Sequence, residues 1–152
     1  MRIWVDADAC PGPVRDILLR ASQRLNISTV FVANKRLTLP RSELVSTVQV
    51  GAGLDVADRH IAEQAQRGDL AVTQDIPLAA LLVPRGVVVL DPRGDLFTEE
   101  NISERLSVRN FMQELRESGV TTSGPSGFSP KDGQRFANAL DRELTRLLAA
   151  RK

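Results

Sequence analysis

Five short β-favouring runs, Arg2 to Asp6, Ser28 to Val32, Val45 to Val50, Leu70 to Thr73 and Gly86 to Leu90, are separated by segments too long for a hairpin. Two residues can join antiparallel strands, whereas parallel neighbours need a crossover of about a dozen residues or more. Three of the four intervening segments carry helical signals. Pro11 to Asn26 places Val14, Ile17, Leu18, Ala21 and Leu25 at helical spacing. Val56 to Arg67 turns Val56, Ile61, Ala62 and Ala65 toward one face and stops at Gly68, and Pro77 to Val83 opens on a residue suited to a first turn. The remaining connection reads as a loop with a helical turn around Pro40 to Leu44. The expectation is an α/β fold, a single three-layer domain over 1–152 with a mostly parallel five-stranded sheet covered on both faces and strands two and three buried. C-terminal helices follow: Glu99 to Ser118, then a helix opened by Ser129, Pro130 and Asp132 and continued by Phe136, Leu140, Leu144 and Leu147. The small polar stretch Thr121 to Gly127 between them is a loop.

Composition excludes several classes. The 152 residues have no apolar run near the roughly 20 residues of a membrane helix. A strand pattern beginning within two residues of Met1 leaves no leader-like segment, so the expected location is the cytoplasm. One cysteine, Cys10, allows no disulfide within the chain and no cysteine-based zinc site. With 20 basic and 19 acidic residues the formal charge is +1, so any electrostatic recognition must be local.

The acids are what the fold would collect. In an open parallel sheet, ligands bind beyond the carboxyl ends of the strands. Asp6 and Asp8 follow the first run, Asp55 and Asp58 the third, Asp75 the fourth and Asp91 the fifth. Two like charges about 4 Å apart repel by about 4 kcal/mol at an effective dielectric of 20, so such a cluster calls for a cation or shared protons. Oxygen-only donors favour Mg²⁺ or Mn²⁺. The strongest members are Asp6, Asp8, Asp58 and Asp75. Asp55 serves equally as a helix N-cap, Asp75 has a capping alternative, and Asp91 precedes the ordinary turn sequence Pro92-Arg93-Gly94. Thr73 is a secondary candidate, able to orient Asp75 or a bound water.

The segment Asp58-Arg59-His60-Ile61-Ala62-Glu63-Gln64-Ala65, followed by Val72-Thr73-Gln74-Asp75, resembles the second half of PIN-domain nucleases, in which an acid opens a helix of this pattern and a strand ends in Thr-x-Asp. With Asp6, three acids match the PIN metal set by position. Across its full length the chain looks closer still to the YaiI/YqxD family of uncharacterised bacterial proteins, through Val5-Asp6-Ala7-Asp8-Ala9-Cys10-Pro11, Asp55-Val56-Ala57-Asp58, Leu90-Asp91-Pro92-Arg93-Gly94 and the late Gly-Pro-Ser-Gly-Phe128 segment. The PIN resemblance implies a metal-dependent nuclease, RNA favoured over DNA, in which the cation activates water and stabilises charge on the scissile phosphate. PIN enzymes usually carry a further acid between strands one and three, and only Glu43 is loosely placed for it here; Asp8 and Asp55 are the substitutes.

Phosphate contacts are open to Lys35, Arg36, Arg85, Arg93, Arg105 and Arg109, most of which read as isolated surface charges; Asn34, Lys35 and Arg36, which leave the second strand at the same edge as the acids, are the strongest set. Cys10 at a helix start, with His60 as base, is a minor nucleophile candidate, and Trp4 reads as core. Two rival functions stay open. Val5-Asp6-Ala7-Asp8 also resembles the opening of haloacid-dehalogenase-type phosphatases, although no lysine follows Thr73 at a suitable place. The other rival is a catalytically inactive PIN-like module that binds nucleic acid or protein.

Overall fold

The computed structural model describes residues 1–53, 56–120 and 127–150; Asp55 and most of the expected 121–127 loop lie outside them. One sheet is formed by β1 (Arg2–Asp6), β2 (Ser28–Ala33), β3 (Val45–Gln49), β4 (Leu70–Val72), β5 (Val88–Leu90) and β6 (Leu96–Phe97), in the order β3-β2-β1-β4-β5-β6. All adjacent pairs are parallel except β5 with β6. The α/β expectation holds with one correction, since the sheet has six strands rather than five. The added strand is only two residues long, reached through the turn Asp91 to Asp95, and two residues carry no readable alternation.

Alternation on the central strands builds two cores. Ile3 and Val5 of β1, Phe31 and Ala33 of β2, and Leu70 and Val72 of β4 face α1 (Gly12–Leu25) and α5 (Pro130–Ala150), which supply Val14, Leu18, Phe136, Leu140 and Leu144. Trp4, Val30, Val32, Ala71 and Val89 face the other way, against α2 (Val56–Gln64), α3 (Ile76–Leu82) and α4 (Glu99–Glu117). This is the expected three-layer arrangement. A fully buried Leu or Phe is worth about 1.5–3 kcal/mol, so α5, with Phe136, Leu140 and Leu144 buried, anchors the fold far more firmly than α4, where Ile102 is the only buried residue.

The expectation that β3 is buried is overturned. β3 lies at the sheet edge, where Ser46, Thr47 and Gln49 are exposed and Val45 and Val48 only half-buried. Such polar residues are what an unpaired edge tolerates. Helix boundaries follow local chemistry. Asn26 ends α1 in a left-handed conformation (φ 57°), which Asn accepts more readily than most residues. Thr98 and Asn101 form a reciprocal capping box at α4, and Ser129 and Asp132 exchange backbone N–H bonds at the start of α5 as expected. At the amino edge of the sheet, Asp69 accepts the Arg2 N–H at 3.0 Å, the Trp4 indole N–H at 3.0 Å and the Gln66 N–H at 2.9 Å, tying β1 to the turn before β4. Among the described residues no helix is long and apolar enough to cross a membrane.

Candidate functional site

The order of strands reverses direction between β1 and β4: the chain builds outward from β1 through β2 to β3, then returns to add β4, β5 and β6 on the other side. Ligands of open α/β sheets bind at such a point, beyond the carboxyl ends. Asp6 ends β1 there, and Thr73 and Asp75 leave β4 beside it. The buried Thr73 hydroxyl donates to Asp6 Oδ2 at 3.0 Å and accepts the Asp75 backbone N–H at 2.9 Å. After β1 the chain makes a 3-10 turn over Ala7–Ala9, pinned by the Gln74 side-chain amide to the Ala9 carbonyl at 3.0 Å. That turn presents Asp8, whose Oδ2 accepts the Asn34 backbone N–H at 2.9 Å beyond the end of β2. The strand does not stay extended through Asp8, as a shared direction for Asp6 and Asp8 would require, yet both remain at one edge.

Asp6 carries a pKa above the ordinary carboxylate value, chiefly because burial disfavours its charge; the Thr73 hydroxyl bond opposes the shift, and the charges of Asp75 and Asp8 add to it. Asp75 caps α3 by accepting the Leu78 N–H on Oδ1 at 2.9 Å. Capping and a site role are compatible, because the other oxygen stays available. Asp6, Asp8 and Asp75 each have one oxygen oriented by a protein donor and a second oxygen with no hydrogen-bond donor among the described residues.

Asp58, in the first turn of α2, lines with Asp75 a cavity of about 320 Å³ that Pro77, Leu81 and Arg109 also line. Asp75 thus stands both beside Asp6, through Thr73, and on the wall of the cavity that Asp58 lines. Among the described residues, no three His, Cys, Asp or Glu side chains stand together as a ready metal cage. The donor chemistry still fits a hard cation, since Mg²⁺ commonly keeps several waters and takes only one or two carboxylates, and the free oxygens of Asp6 and Asp75 could supply those. Asp55 lies outside the described residues.

Asp91 is engaged otherwise. Its Oδ1 accepts the Arg93 N–H at 2.8 Å and the Asp95 N–H at 3.0 Å within the turn that feeds β6. Its pKa is raised, mainly by burial, and the charges acting on it are those of Asp95 and Arg105. Arg93 lies 3.5 Å from Asp132 of α5, in an ion pair that ties this turn to the last helix. Asn34, Lys35 and Arg36 are exposed at the carboxyl edge, with Asn34 bonded directly to Asp8. Glu43, just before β3, stands at the opposite end of that strand from the acids.

A nucleophilic role for Cys10 is overturned on two grounds. Burial pushes its thiol up to about 12, with Arg15 opposing and Asp6 adding to the rise, where an activated thiol needs the reverse. His60 also stands on the other face of the sheet, its ring 6.2 Å from Trp4 in an edge-on contact, while Cys10 packs against the α1 and α5 side. Trp4 is core, as expected. What sequence reasoning misses is Arg116 and the common groove on α4: Arg105, Arg109 and Arg116 all line it, and Arg109 also lines the cavity that holds Asp58 and Asp75. Their spacing of four and seven residues is the one signal that could have found them.

Comparison with known proteins gives the lineage. A family model described as "Uncharacterized BCR, YaiI/YqxD family" matches residues 4–146. The chain is 80% identical over 148 residues to a UPF0178 protein of Myxococcus xanthus, covering 97% of each. It is 58% identical over 146 residues to one of Syntrophobacter fumaroxidans, covering 96% of this chain and 95% of the relative. With one of Dechloromonas aromatica it shares 53% identity over 150 residues, 99% of this chain and 100% of the relative. No solved structure matches the chain. From residue 4 to residue 146, and along nearly the whole length of these relatives, the chain belongs to the YaiI/YqxD family.

Proposed function

We propose that this chain is a divalent-cation-dependent nuclease of PIN-like type that hydrolyses phosphodiester bonds, RNA in preference to DNA, in the cytoplasm. The observation that carries this reading is the Asp6 carboxyl, half-buried between Asp8 and Asp75 at the point where strand order reverses and oriented by Thr73. Keeping an acid there works against folding, because burial and like charge both oppose its ionisation. A bound cation would offset both. Mg²⁺ or Mn²⁺ supplies Lewis acidity at the phosphate and a water nucleophile at neutral pH.

The chain's own residues have distinct tasks in this reading. Asp6 and Asp75 offer their free oxygens to the cation, while Thr73 fixes the first carboxylate and the backbone of the second. Asp8, tied to the Asn34 backbone, adds negative charge on the β2 side. Asp58, Asp75 and Arg109 line one cavity, where Arg109 would meet a substrate phosphate. Lys35 and Arg36 extend the contact to the phosphate backbone at the exposed edge.

The test is incubation of the pure protein with labelled single-stranded and structured RNA and DNA, in Mn²⁺ and in EDTA. Metal-dependent cleavage that Asp6→Asn abolishes is the expected result. Cleavage that persists unchanged in Asp6→Asn would sink the proposal. A phosphomonoester turned over through a trapped aspartyl-phosphate would replace it with the phosphatase alternative.

A further inference from the structure

We propose that α4 is the track for single-stranded nucleic acid, its arginine row holding the phosphates and the exposed apolar side chains that border it receiving the unstacked bases. This rests on the nuclease reading for what happens at the end of the track, but the binding itself does not require turnover.

Helical geometry sorts the side chains of α4 into sectors. At about 100° per residue, Arg105, Arg109 and Arg116 fall within about 40° of one another, whereas Glu99, Glu100, Glu114 and Glu117 lie on the opposite half. The helix has five acids and three arginines, yet one long edge is purely basic. Glu104 alone borders it. Along this edge runs a groove of about 570 Å³, also lined by Asn101, Val108 and Met112. Arg109 lines both this groove and the Asp58–Asp75 cavity, so the two adjoin at that residue.

The arginines are not consumed in holding the fold together. Among the described residues, ion pairs engage Arg24, Arg93, Arg135, Arg142 and Arg146, and none engages Arg105, Arg109 or Arg116. Arg105 is nonetheless held in place, its guanidinium 4.9 Å from the centre of the Phe97 ring, which reduces the ordering cost of gripping an anion. Beside the basic row, Val108 is 55% exposed and lines the same groove, and Leu81 of the neighbouring α3, which lines the adjoining cavity, is 59% exposed. A basic edge bordered by exposed apolar side chains matches a strand whose bases are unpaired, since a duplex hides its base faces. The charge complementarity selects a polyanion over a neutral partner.

Fluorescence anisotropy with a labelled oligouridylate, in EDTA so that nothing is cleaved, tests this directly. Arg105→Gln, Arg109→Gln and Arg116→Gln together should weaken binding at least tenfold. They should also reduce the slope of log affinity against log salt by about 2, three contacts at about 0.7 each. The corresponding triple lysine variant should keep the slope, which separates lost charge from lost folding, and circular dichroism checks both. Val108→Ser should weaken binding without altering the slope. Neutralising Arg20 and Arg41, away from the groove, should change little. The proposal falls if wild type fails to bind, if the triple glutamine variant binds unchanged, or if the Arg20/Arg41 variant loses as much. Equal binding of duplex overturns it, as does a Val108→Ser change that converts a dimer to monomer while binding is untouched. Asp6→Asn should bind like wild type: groove-dependent binding without Asp6-dependent cleavage leaves the track standing and removes the nuclease. Asp6-dependent cleavage with binding and KM unchanged in the triple glutamine variant does the opposite.

Discussion

Thr73 holds Asp6 across the boundary between β1 and β4, hydroxyl to carboxylate at 3.0 Å, while accepting the Asp75 N–H at 2.9 Å on the same oxygen. One buried hydroxyl thus sets the positions of two acids that come from different strands. Thr73→Val keeps the shape and removes both bonds. Partners that orient metal-holding carboxylates are typically worth about 10- to 100-fold in metal affinity or activity, and a loss of that size is expected here. Because the hydroxyl lowers the Asp6 pKa, its removal should also move the acidic limb of the pH–rate profile upward. Thr73→Ser should restore both. Isothermal titration with Mn²⁺ and a pH series check the two effects separately.

Asp6 also makes a prediction about stability. Its folded-state pKa lies above the ordinary value, chiefly through burial, so between the two values the folded chain binds more protons than the unfolded one. Stability must therefore fall as pH rises through that window, and an ionised Asp6 burdens the metal-free protein at neutral pH. Asp6→Asn keeps an acceptor for Thr73 and removes the charge. In EDTA at pH 7 the variant should melt higher, by on the order of 1 kcal/mol, a few degrees. The advantage should vanish below the ordinary carboxylate range. Equal melting temperatures at neutral pH would remove the argument that this acid is kept for function.

Much of this arrangement is legible in the sequence, and the gaps have physical causes. Strand-end acids can be placed at one edge because parallel order follows from crossover length, and the capping of α5 follows from Ser129, Pro130 and Asp132 alone. β6 escapes a reading by periodicity, since Leu96 and Phe97 are too few to show a period. The valines of β3 look like core until the sheet order puts that strand at an edge. That Asp58 shares a cavity with Asp75 depends on how α2 packs, which no local pattern encodes. Arg105 and Arg109 look isolated along the chain because their relation to the cavity is tertiary.

Cys10 gives a chemical check on its surroundings. Burial raises its thiol to about 12, Arg15 pulls the other way, and the charge on Asp6 adds to the rise. At pH 8 the thiolate should be scarce, and alkylation by iodoacetamide should run at least about tenfold slower than for a free cysteine. Asp6→Asn removes one of the raising charges, so it should speed alkylation. Cys10→Ser should leave cleavage intact. Rapid labelling in the wild-type protein would contradict the packing described for this residue.

Asp69 offers a contrast between an acid kept for the fold and acids kept for the site. It is buried at the amino edge of the sheet, the opposite end from Asp6, and its carboxylate takes three N–H donors, from Arg2, Trp4 and Gln66. Asp69→Ala strands those donors, and the Trp4 indole, held in the core, cannot turn its N–H toward water without leaving its packing. Each donor left unsatisfied on burial costs about 1–3 kcal/mol, and relaxation toward water will recover part for the two at the margin. A net loss of about 2–4 kcal/mol is expected, or roughly 5–15 °C in Tm. Since nothing on this edge reaches the carboxyl ends of β1 and β4, cleavage per folded molecule and affinity for Mn²⁺ should be unchanged below the melting transition. That is the reverse of Asp6→Asn, which should raise Tm and abolish cleavage. Thermal melts of the two variants alongside activity at a temperature where both are folded would separate the structural acid from the functional one.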